Sequence, residues 1–334
     1  MKLHPLSFRK SCWANTVDSM KRSDLLKRKV ADYSIHSHER ASSLVKKMGE
    51  SGGFTAKNLA LGAEALEGML KEKDCTRILS FPADVVSTGL RGVLAQVVKH
   101  FDAIITTCGT LDHDLARAWG KGYFHGSFEI DDRNLHRMRL NRLGNVLVPN
   151  ESYGEILEKR MNPILKELTL QKSEWGGREL IAEFGKRVKD ENSILAQAHK
   201  HKVPIYVPGI TDGAFGTNLL IFSQDSKLKV DLLMDERELS DLVFDSKKLG
   251  ALMIGGGISK HHVIWWSQFK GGLDYAVYIT TATQYDGSLS GARLEEAVSW
   301  GKVKEKARMA TIDGDATVLL PLLLAYVYDF LLQP

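Results

Sequence analysis

Short apolar runs alternate with longer segments of helical periodicity along most of this chain. Uninterrupted apolar runs are typical of strands that are covered on both faces. Between two such runs, Glu151–Leu170 repeats apolar residues at helical spacing. The pattern predicts strands at Arg77–Phe81, Ala103–Thr107, Asn145–Pro149, Pro204–Val207, Leu249–Ile254, Asp274–Thr280 and Met309–Ile312.

Strands that are separated by helices predict a parallel sheet, because a tight turn cannot join parallel neighbours. We therefore expect an α/β fold with a doubly wound, mostly parallel sheet and helices on both faces. No linker or repeat divides the chain, which predicts one domain: a helical N-terminal extension (1–75) packed on an α/β core (76–334). Sheets of this type bind ligands at the carboxyl ends of their strands. The polar and glycine-rich segments that follow the predicted strands are Pro82–Gly89, Thr106–Asp114, Thr211–Gly216, Gly255–His262, Thr280–Gly291 and Asp313–Ala316.

Composition narrows the possible partners. The formal net charge is only +4 over 334 residues, and basic residues are interleaved with acidic ones, so we expect no nucleic-acid partner. The three cysteines are widely spaced, which disfavours a CxxC metal site and a disulfide framework and favours a reducing cytoplasm. The apolar run Val318–Tyr328 contains Pro321 and is shorter than the roughly 20 residues that cross a bilayer, so we expect no membrane span.

The loop Met253–His262 (MIGGGISKHH) follows a predicted strand and opens a helix. Its glycines let the backbone approach a phosphate, and a helix N-terminus favours negative charge. The spacing is GGGxxK rather than GxGxxG, so a tight turn that needs glycine for steric reasons is the alternative. His261 and His262 are adjacent and point in different directions on a helix. One of them could act as an acid or base in the cleft, and a capping or packing role is equally open.

The segment Asp286–Lys302 (DGSLSGARLEEAVSWGK) begins as a small-residue loop and continues as a helix. A lysine desolvated beside an indole, as Lys302 is beside Trp300, can supply a neutral amine for imine formation. Glu296 lies four residues before Trp300, so both share a helix face and could hold an alkylammonium. A surface helix with an ordinary lysine is the alternative.

The loop Thr106–Leu115 carries Asp112, His113 and Asp114 near a helix start. Carboxylates there can cap a helix, or they can hold a cationic substrate or a ribose. Asp212 is likewise a turn residue or a ligand of a hydroxyl group. Nucleophilic hydrolysis is disfavoured because the chain lacks a matching G-x-S-x-G.

Taken together, these loops resemble the deoxyhypusine synthase family. The similar stretches occur in family order from about Ser80 to Leu324: SFPADVVSTGLR, TTCGTLDHDL, NRLGNVLVPNE, VPIYVPGITDG, MIGGGISKHH, DYAVYITTA, GARLEEAVSWGK and DGDATVLLPLLL. The resemblance implies a Rossmann-like NAD-binding fold. It also implies NAD-dependent transfer of an aminobutyl group from spermidine to a lysine of the hypusine-bearing translation factor, in a homotetramer with active sites at subunit interfaces.

By motif position, the resemblance makes Lys302 the lysine that carries the aminobutyl group as an imine, and His261 the acid/base or positioning group. The substrate-binding positions it implies are Glu296, Trp300, Asp112, His113, Gly287 and Ser288. The NAD-binding positions it implies are Asp84, Ser87, Thr107, Gly109, Asp212, Gly256, Thr281, Ala282, Asp315 and Ala316.

The chain departs from the family pattern where carboxylates hold the amines or the ribose. Ala83–Asp84 replaces SN, Asp112–His113 replaces paired glutamates, and Thr217 and Leu289 replace aspartates. An unpaired buried ammonium is costly, so these changes predict altered amine recognition. The alternatives are an agmatine donor, homospermidine formation from putrescine, or a non-catalytic NAD-binding paralogue that regulates a partner.

Overall fold

The computed structural model describes residue 23 and residues 26–331. Eleven strands lie in these residues: β1 (Cys75–Ser80), β2 (Ala103–Ile105), β3 (Phe124–His125), β4 (Leu140–Leu143), β5 (Val146–Pro149), β6 (Glu174–Trp175), β7 (Ile205–Tyr206), β8 (Lys229–Val230), β9 (Lys248–Ile254), β10 (Leu273–Thr280) and β11 (Val303–Asp313).

Six of these strands form a parallel central sheet in the order β11-β10-β9-β1-β2-β7. The chain winds outward from β1 through β2 to β7, then returns to the other side of β1 for β9, β10 and β11. The order therefore reverses between β1 and β9, which is the topological switch point of a doubly wound sheet. The predicted fold class is confirmed.

Helices cover both faces of this sheet. The longer ones are α1 (Ala41–Ser51), α2 (Phe54–Lys71), α3 (Leu90–Val97), α4 (Cys108–Trp119), α5 (Asp132–Arg137), α6 (Gly154–Gln171), α7 (Gly177–Lys186), α8 (Ile194–His201), α9 (Ala214–Gln224), α10 (Leu232–Asp245), α11 (Ile258–Ser267), α12 (Leu294–Ser299) and α13 (Ala316–Leu331). Alternate residues of β1 divide between the two faces, since Leu79 packs in one buried cluster and Ile78 in the other. The second cluster joins the sheet to α10, α11 and α12.

The two helices before β1 share the main core. Leu59, Leu66 and Met69 of α2 are buried with residues of the sheet. Gly62 permits this close approach, because a Cβ there would lie 2.6 Å from Ile312 Cδ1. The N-terminal region is therefore helical where it is described between residues 41 and 71, while the proposed division at residue 75 stays a prediction.

One predicted strand lies outside the central sheet. Val146–Pro149 pairs antiparallel with β3 and β4 in a separate three-stranded sheet. A four-residue apolar run is compatible with either sheet, and the hairpin partner Leu140–Leu143 was not predicted. In the described residues, no helix is both long and apolar enough to cross a membrane.

Candidate functional site

A small cavity of about 130 Å³ lies at the carboxyl edge of the sheet, around the switch point. Its walls come from the segments that follow β1, β9, β10 and β11, which sequence analysis placed at this edge. The lining residues are Pro82, Asp84, Val85, Thr88, Ile254, Gly255, Ile279, Thr280, Thr281, Gly314, Asp315, Ala316 and Thr317. Of the implied NAD positions, Asp84, Thr281, Asp315 and Ala316 are thus brought together, and the polar residues Thr280 and Thr317 join them.

The glycine loop after β9 adopts backbone conformations that require glycine. Gly255 has φ +51° and Gly256 has φ +90°, and a Cβ on Gly256 would lie 2.5 Å from Ser259 Oγ. The Gly255 amide donates to Ile279 O on β10 at 2.7 Å, which fixes the loop to the neighbouring strand. The backbone therefore stays close to the space above the switch point, with the N-terminus of α11 directly behind it.

Three buried hydroxyl oxygens at this edge have no hydrogen-bond partner in the described chain: Ser80 Oγ, Thr107 Oγ1 and Ser259 Oγ. They stand at the end of β1, just before α4 and in the first turn of α11. Buried hydroxyls normally find partners, so such a group is a candidate contact for a polar ligand. Thr107 was among the implied NAD positions, whereas Ser80 and Ser259 were missed because serine at these positions carries no distinct sequence signal.

The remaining implied NAD positions lie nearby but have other local roles. The Ser87 hydroxyl donates to Asp84 O at 2.6 Å, so it closes the turn that carries Asp84. Gly109 sits against Ala83, where an added Cβ would come within 2.8 Å of Ala83 Cβ. The Ala282 amide donates to Thr280 Oγ1 at 3.1 Å, and Asp212 is exposed in the turn before α9.

Lys302 lies between two indole rings. Its Nζ is 5.4 Å from the ring centroid of Trp300 and 5.8 Å from that of Trp265, within cation–π range of both. The Trp265 ring also stacks on His261, with centroids 5.7 Å apart. Trp265 was missed from the sequence, although its spacing of four residues from His261 on one helix could have indicated it.

Burial lowers the pKa of His261, and the positive charge of Lys302 lowers it further. Near neutral pH the imidazole is therefore held in its neutral form, which can accept a proton. The adjacent His262 points elsewhere: its Nε2 is 3.0 Å from Glu236 Oε1. The structure thus places His261, and not His262, beside the lysine.

Three further implied substrate positions are exposed. Glu296 lies on α12 one turn before Trp300, and the Trp300 side chain is 67% exposed. Gly287 and Ser288 lie in the loop between β10 and α12, also exposed. These side chains are accessible to an amine from solvent or to a second protein chain.

Asp112 and His113 are placed differently. The Asp112 carboxylate is fully buried and accepts hydrogen bonds from Ala214 N (2.9 Å), Phe215 N (2.7 Å) and Tyr153 Oη (2.9 Å). Asp112 therefore caps a helix, as one of the two alternatives from the sequence had it. The helix that it caps is α9, about 100 residues later in the chain, and not its own helix α4. Burial lowers the pKa of His113 to about 4, and its Nδ1 is 2.7 Å from Tyr123 Oη. A role for either in amine binding stays a prediction.

The glycine loop and Lys302 lie toward opposite edges of the sheet. The Lys302 carbonyl accepts from Leu273 N at the first residue of β10, whereas Thr281 follows the last residue of that strand. Eight residues of β10 at about 3.3 Å each separate the two backbone positions by roughly 25 Å. The Lys302 backbone is therefore far from the glycine loop, whereas His261, whose amide donates to Gly257 O at 2.9 Å, lies next to that loop.

Comparison with known proteins identifies the family. The sequence model described as deoxyhypusine synthase matches residues 43–327. Curated proteins named "probable deoxyhypusine synthase" from Picrophilus torridus and Sulfurisphaera tokodaii are 54% and 52% identical, over 92% of this chain and 99% of each relative. The chain belongs to the deoxyhypusine synthase family. The resemblance stated from the loop motifs is confirmed.

A crystal structure from Entamoeba histolytica that carries the same family name has a similar fold. It matches with a TM-score of 0.64 and 21% sequence identity, covering 90% of this chain and 97% of the other. This likeness shows the α/β fold of the deoxyhypusine synthase family in the present chain.

Proposed function

We propose that this chain is a deoxyhypusine synthase that transfers an aminobutyl group from spermidine to a lysine of the hypusine-bearing translation factor. The observation that carries the proposal is the environment of Lys302. Its amine lies near the Trp265 and Trp300 rings, and Trp265 stacks on His261. The pKa of His261 is lowered. Family membership supplies the reaction class, and this arrangement places a lysine amine near a proton acceptor.

In the proposed reaction, the secondary amine of spermidine is oxidised to an imine and its two electrons leave as a hydride. The Lys302 amine attacks the imine carbon, the diamine part of spermidine leaves, and the aminobutyl group stays on Lys302 as a new imine. The acceptor lysine displaces Lys302 in the same way, and return of the hydride reduces the final imine, so no net redox change occurs. His261 would move the proton at the reacting amine, while Glu296 and the Trp300 ring would hold a donor ammonium.

The residues at the switch point fit NAD, the hydride carrier that this chemistry needs. The glycine loop brings backbone close to the switch point, and the buried Thr107 Oγ1 lacks a partner in the described chain. Asp84 and Asp315 at the cavity wall offer carboxylates for ribose hydroxyls. A bound NAD would accept and return the hydride. The cavity itself holds only part of a dinucleotide, so the remainder would lie outside it.

The open surroundings of Lys302 support a site completed by a second copy of the chain. The exposed faces of Trp265 and Trp300 are available for a partner, being 43% and 67% exposed. This arrangement supports the homotetramer with shared active sites that the family resemblance implies. Light scattering on the purified protein measures its mass, and a monomer at assay concentration would contradict shared sites.

A second donor is favoured by two observations at positions where carboxylates are missing. Leu289 is partly buried against the α10–α12 side of the core, and the Thr217 hydroxyl donates to Gly213 O within its own helix. Neither side chain supplies the carboxylate that would form an ion pair with a distal ammonium. Agmatine, which carries a guanidinium, is therefore the alternative donor, and homospermidine formation from putrescine is the alternative outcome of the same chemistry.

The experiment is imine trapping. The protein is incubated with NAD and either spermidine, agmatine or putrescine, reduced with borohydride, and its intact mass is measured, followed by peptide mapping. We expect an aminobutyl or guanidinobutyl adduct on Lys302 that requires NAD. Lys302→Ala should abolish the adduct, whereas Lys304→Ala should retain it, because the Lys304 Nζ is engaged by Asp274. If NAD binds but no amine forms an adduct, the proposal is wrong and the regulatory alternative is favoured.

A further inference from the structure

Lys260 is a buried lysine directly beside His261 on α11. Its side chain is 1% exposed, and its Nζ donates to the carbonyl oxygens of Leu289 (2.8 Å) and Ala292 (2.6 Å). The same Nζ lies 3.8 Å from the centroid of the Tyr278 ring. The ammonium is thus satisfied by backbone carbonyls and an aromatic face.

Those carbonyls belong to the loop of residues 284–292, which carries Gly287 and Ser288. Two side chains of β10 hold the same loop: Tyr278 Oη donates to Ser290 O at 2.6 Å, and Thr280 Oγ1 donates to it at 3.0 Å. Three carbonyls of one loop, those of Leu289, Ser290 and Ala292, are therefore bound by side chains of α11 and β10. These side chains are Lys260, Tyr278 and Thr280. We call these three residues the loop clamp.

The loop also forms hydrogen bonds of its own: Ser288 O accepts from Gly291 N (3.1 Å) and Ala292 N (3.2 Å), and Asp286 Oδ1 accepts from Ser288 N (2.7 Å). These bonds lie within the loop, so unlike those of the loop clamp they do not attach it to the sheet or to α11.

Residues 283–288 are exposed, and the Tyr285 ring is 89% exposed. Leu289 supplies an apolar contact to the core. An exposed segment with little apolar burial opens easily unless hydrogen bonds hold it.

Burying an ammonium is unfavourable, and burial lowers the pKa of Lys260 to about 8, although the charge of Glu296 partly offsets this effect. An apolar side chain of similar length would fill the same space without that cost. We therefore attribute the presence of a buried charge at Lys260 to its hydrogen bonds with the loop carbonyls.

We infer that Lys260 is a positioning residue that fixes loop 284–292, with Gly287 and Ser288, relative to His261 on the same helix. Its effect on amine binding rests on the function proposed above, whereas its effect on the loop does not. Because Lys260 and His261 are neighbours on α11, movement of the loop is coupled to the helix that carries the proton-accepting imidazole.

The first test is amide hydrogen exchange in Lys260→Met, with Lys270→Met as the matched control. The control is a half-buried lysine whose Nζ also donates to a backbone carbonyl, Phe244 O at 2.6 Å. Loss of two charged hydrogen bonds should speed exchange of residues 286–292 by at least about tenfold. Exchange in β9 and β10 should stay unchanged. Wild-type exchange in the loop of Lys260→Met would overturn the inference.

The second test measures how trapping at Lys302 depends on amine concentration. We expect Lys260→Met to raise the concentration of spermidine needed for half-maximal adduct, or of whichever amine reacts, by about tenfold. The rate at saturating amine and the affinity for NAD should stay close to wild type. Tyr278→Phe, which removes one hydroxyl from the clamp, should change both readouts in the same direction but less.

The outcomes separate this inference from the proposed function. If wild-type protein forms no adduct with any amine, the proposed function fails, and the exchange experiment still decides whether Lys260 holds the loop. If the loop opens in Lys260→Met but the amine dependence is unchanged, Lys260 is a structural residue and the positioning role is refuted. A uniform loss of saturating rate, NAD affinity and amine affinity would also refute it.

Discussion

Replacing Asp114 by asparagine should strongly destabilise the fold without altering side-chain volume. Asp114 is fully buried on α4 and faces Arg91, which is 4% exposed. Asp114 Oδ1 accepts from Arg91 Nε (2.5 Å) and Ile194 N (3.2 Å), while Oδ2 accepts from Ser193 Oγ (2.7 Å) and Leu195 N (2.9 Å). The carboxylate therefore joins α3 to the N-terminus of α8.

Asparagine cannot reproduce this arrangement in either orientation of its amide. Its NH₂ group must face either the Arg91 and Ile194 donors or the Leu195 amide, and each of these is an N–H group that cannot accept. Breaking a buried ion pair in this way typically costs about 3–5 kcal/mol. Because domains are stable by only about 5–15 kcal/mol, we expect a folded but visibly weakened protein.

The assay is urea unfolding followed by circular dichroism, with Asp132→Asn as the control. Asp132 also binds an arginine, Arg142, at 2.7 Å, but on the surface, so its loss should shift the unfolding midpoint much less. Unfolding of an oligomer depends on protein concentration, so all variants are compared at one concentration. If Asp114→Asn and wild type differ by less than about 1 kcal/mol, the assignment of Asp114 as a buried cap and ion-pair partner is wrong.

Three further predictions concern the site. Gly256→Ala should weaken NAD binding in calorimetry, because its φ of +90° and the 2.5 Å approach to Ser259 Oγ exclude a Cβ, whereas Gly257→Ala, with no atom within 4 Å, should bind normally. Lys302→Ala should raise the pKa of His261 in an NMR titration, since the lysine charge helps to lower it; an unchanged or lower value would contradict their proximity. Because the folded-state pKa of Lys260 is about 8 against an ordinary 10.5, the unfolded chain binds more protons between these values. From pH 8 to 10.5, the free energy of unfolding of the wild type should therefore rise by up to about 3 kcal/mol relative to that of Lys260→Met. Urea unfolding at a series of pH values measures this difference, and the same pH dependence in both proteins would refute the prediction.

The sequence by itself determined the fold class and the order of the chemical segments. Apolar runs that do not alternate, as in Leu249–Ile254, occur where a strand is buried on both faces, and local periodicity records that burial. The glycine loop could be placed at a strand end because the apolar run Leu249–Ile254 gives way there to three consecutive glycines. The antiparallel hairpin of β4 and β5 was missed, although the Gly144–Asn145 turn between the two runs is a hairpin signal.

Only the tertiary structure decided which partners each polar residue meets. Asp112 and Asp114 occupy one turn of α4, yet they cap two different helices that begin about 80 to 100 residues later. Trp265 joins His261 to Lys302, and Lys260 holds a loop some 30 residues away. Local periodicity encodes which face of an element is buried. It does not encode which distant segment arrives at that face, because that depends on how the whole sheet is assembled.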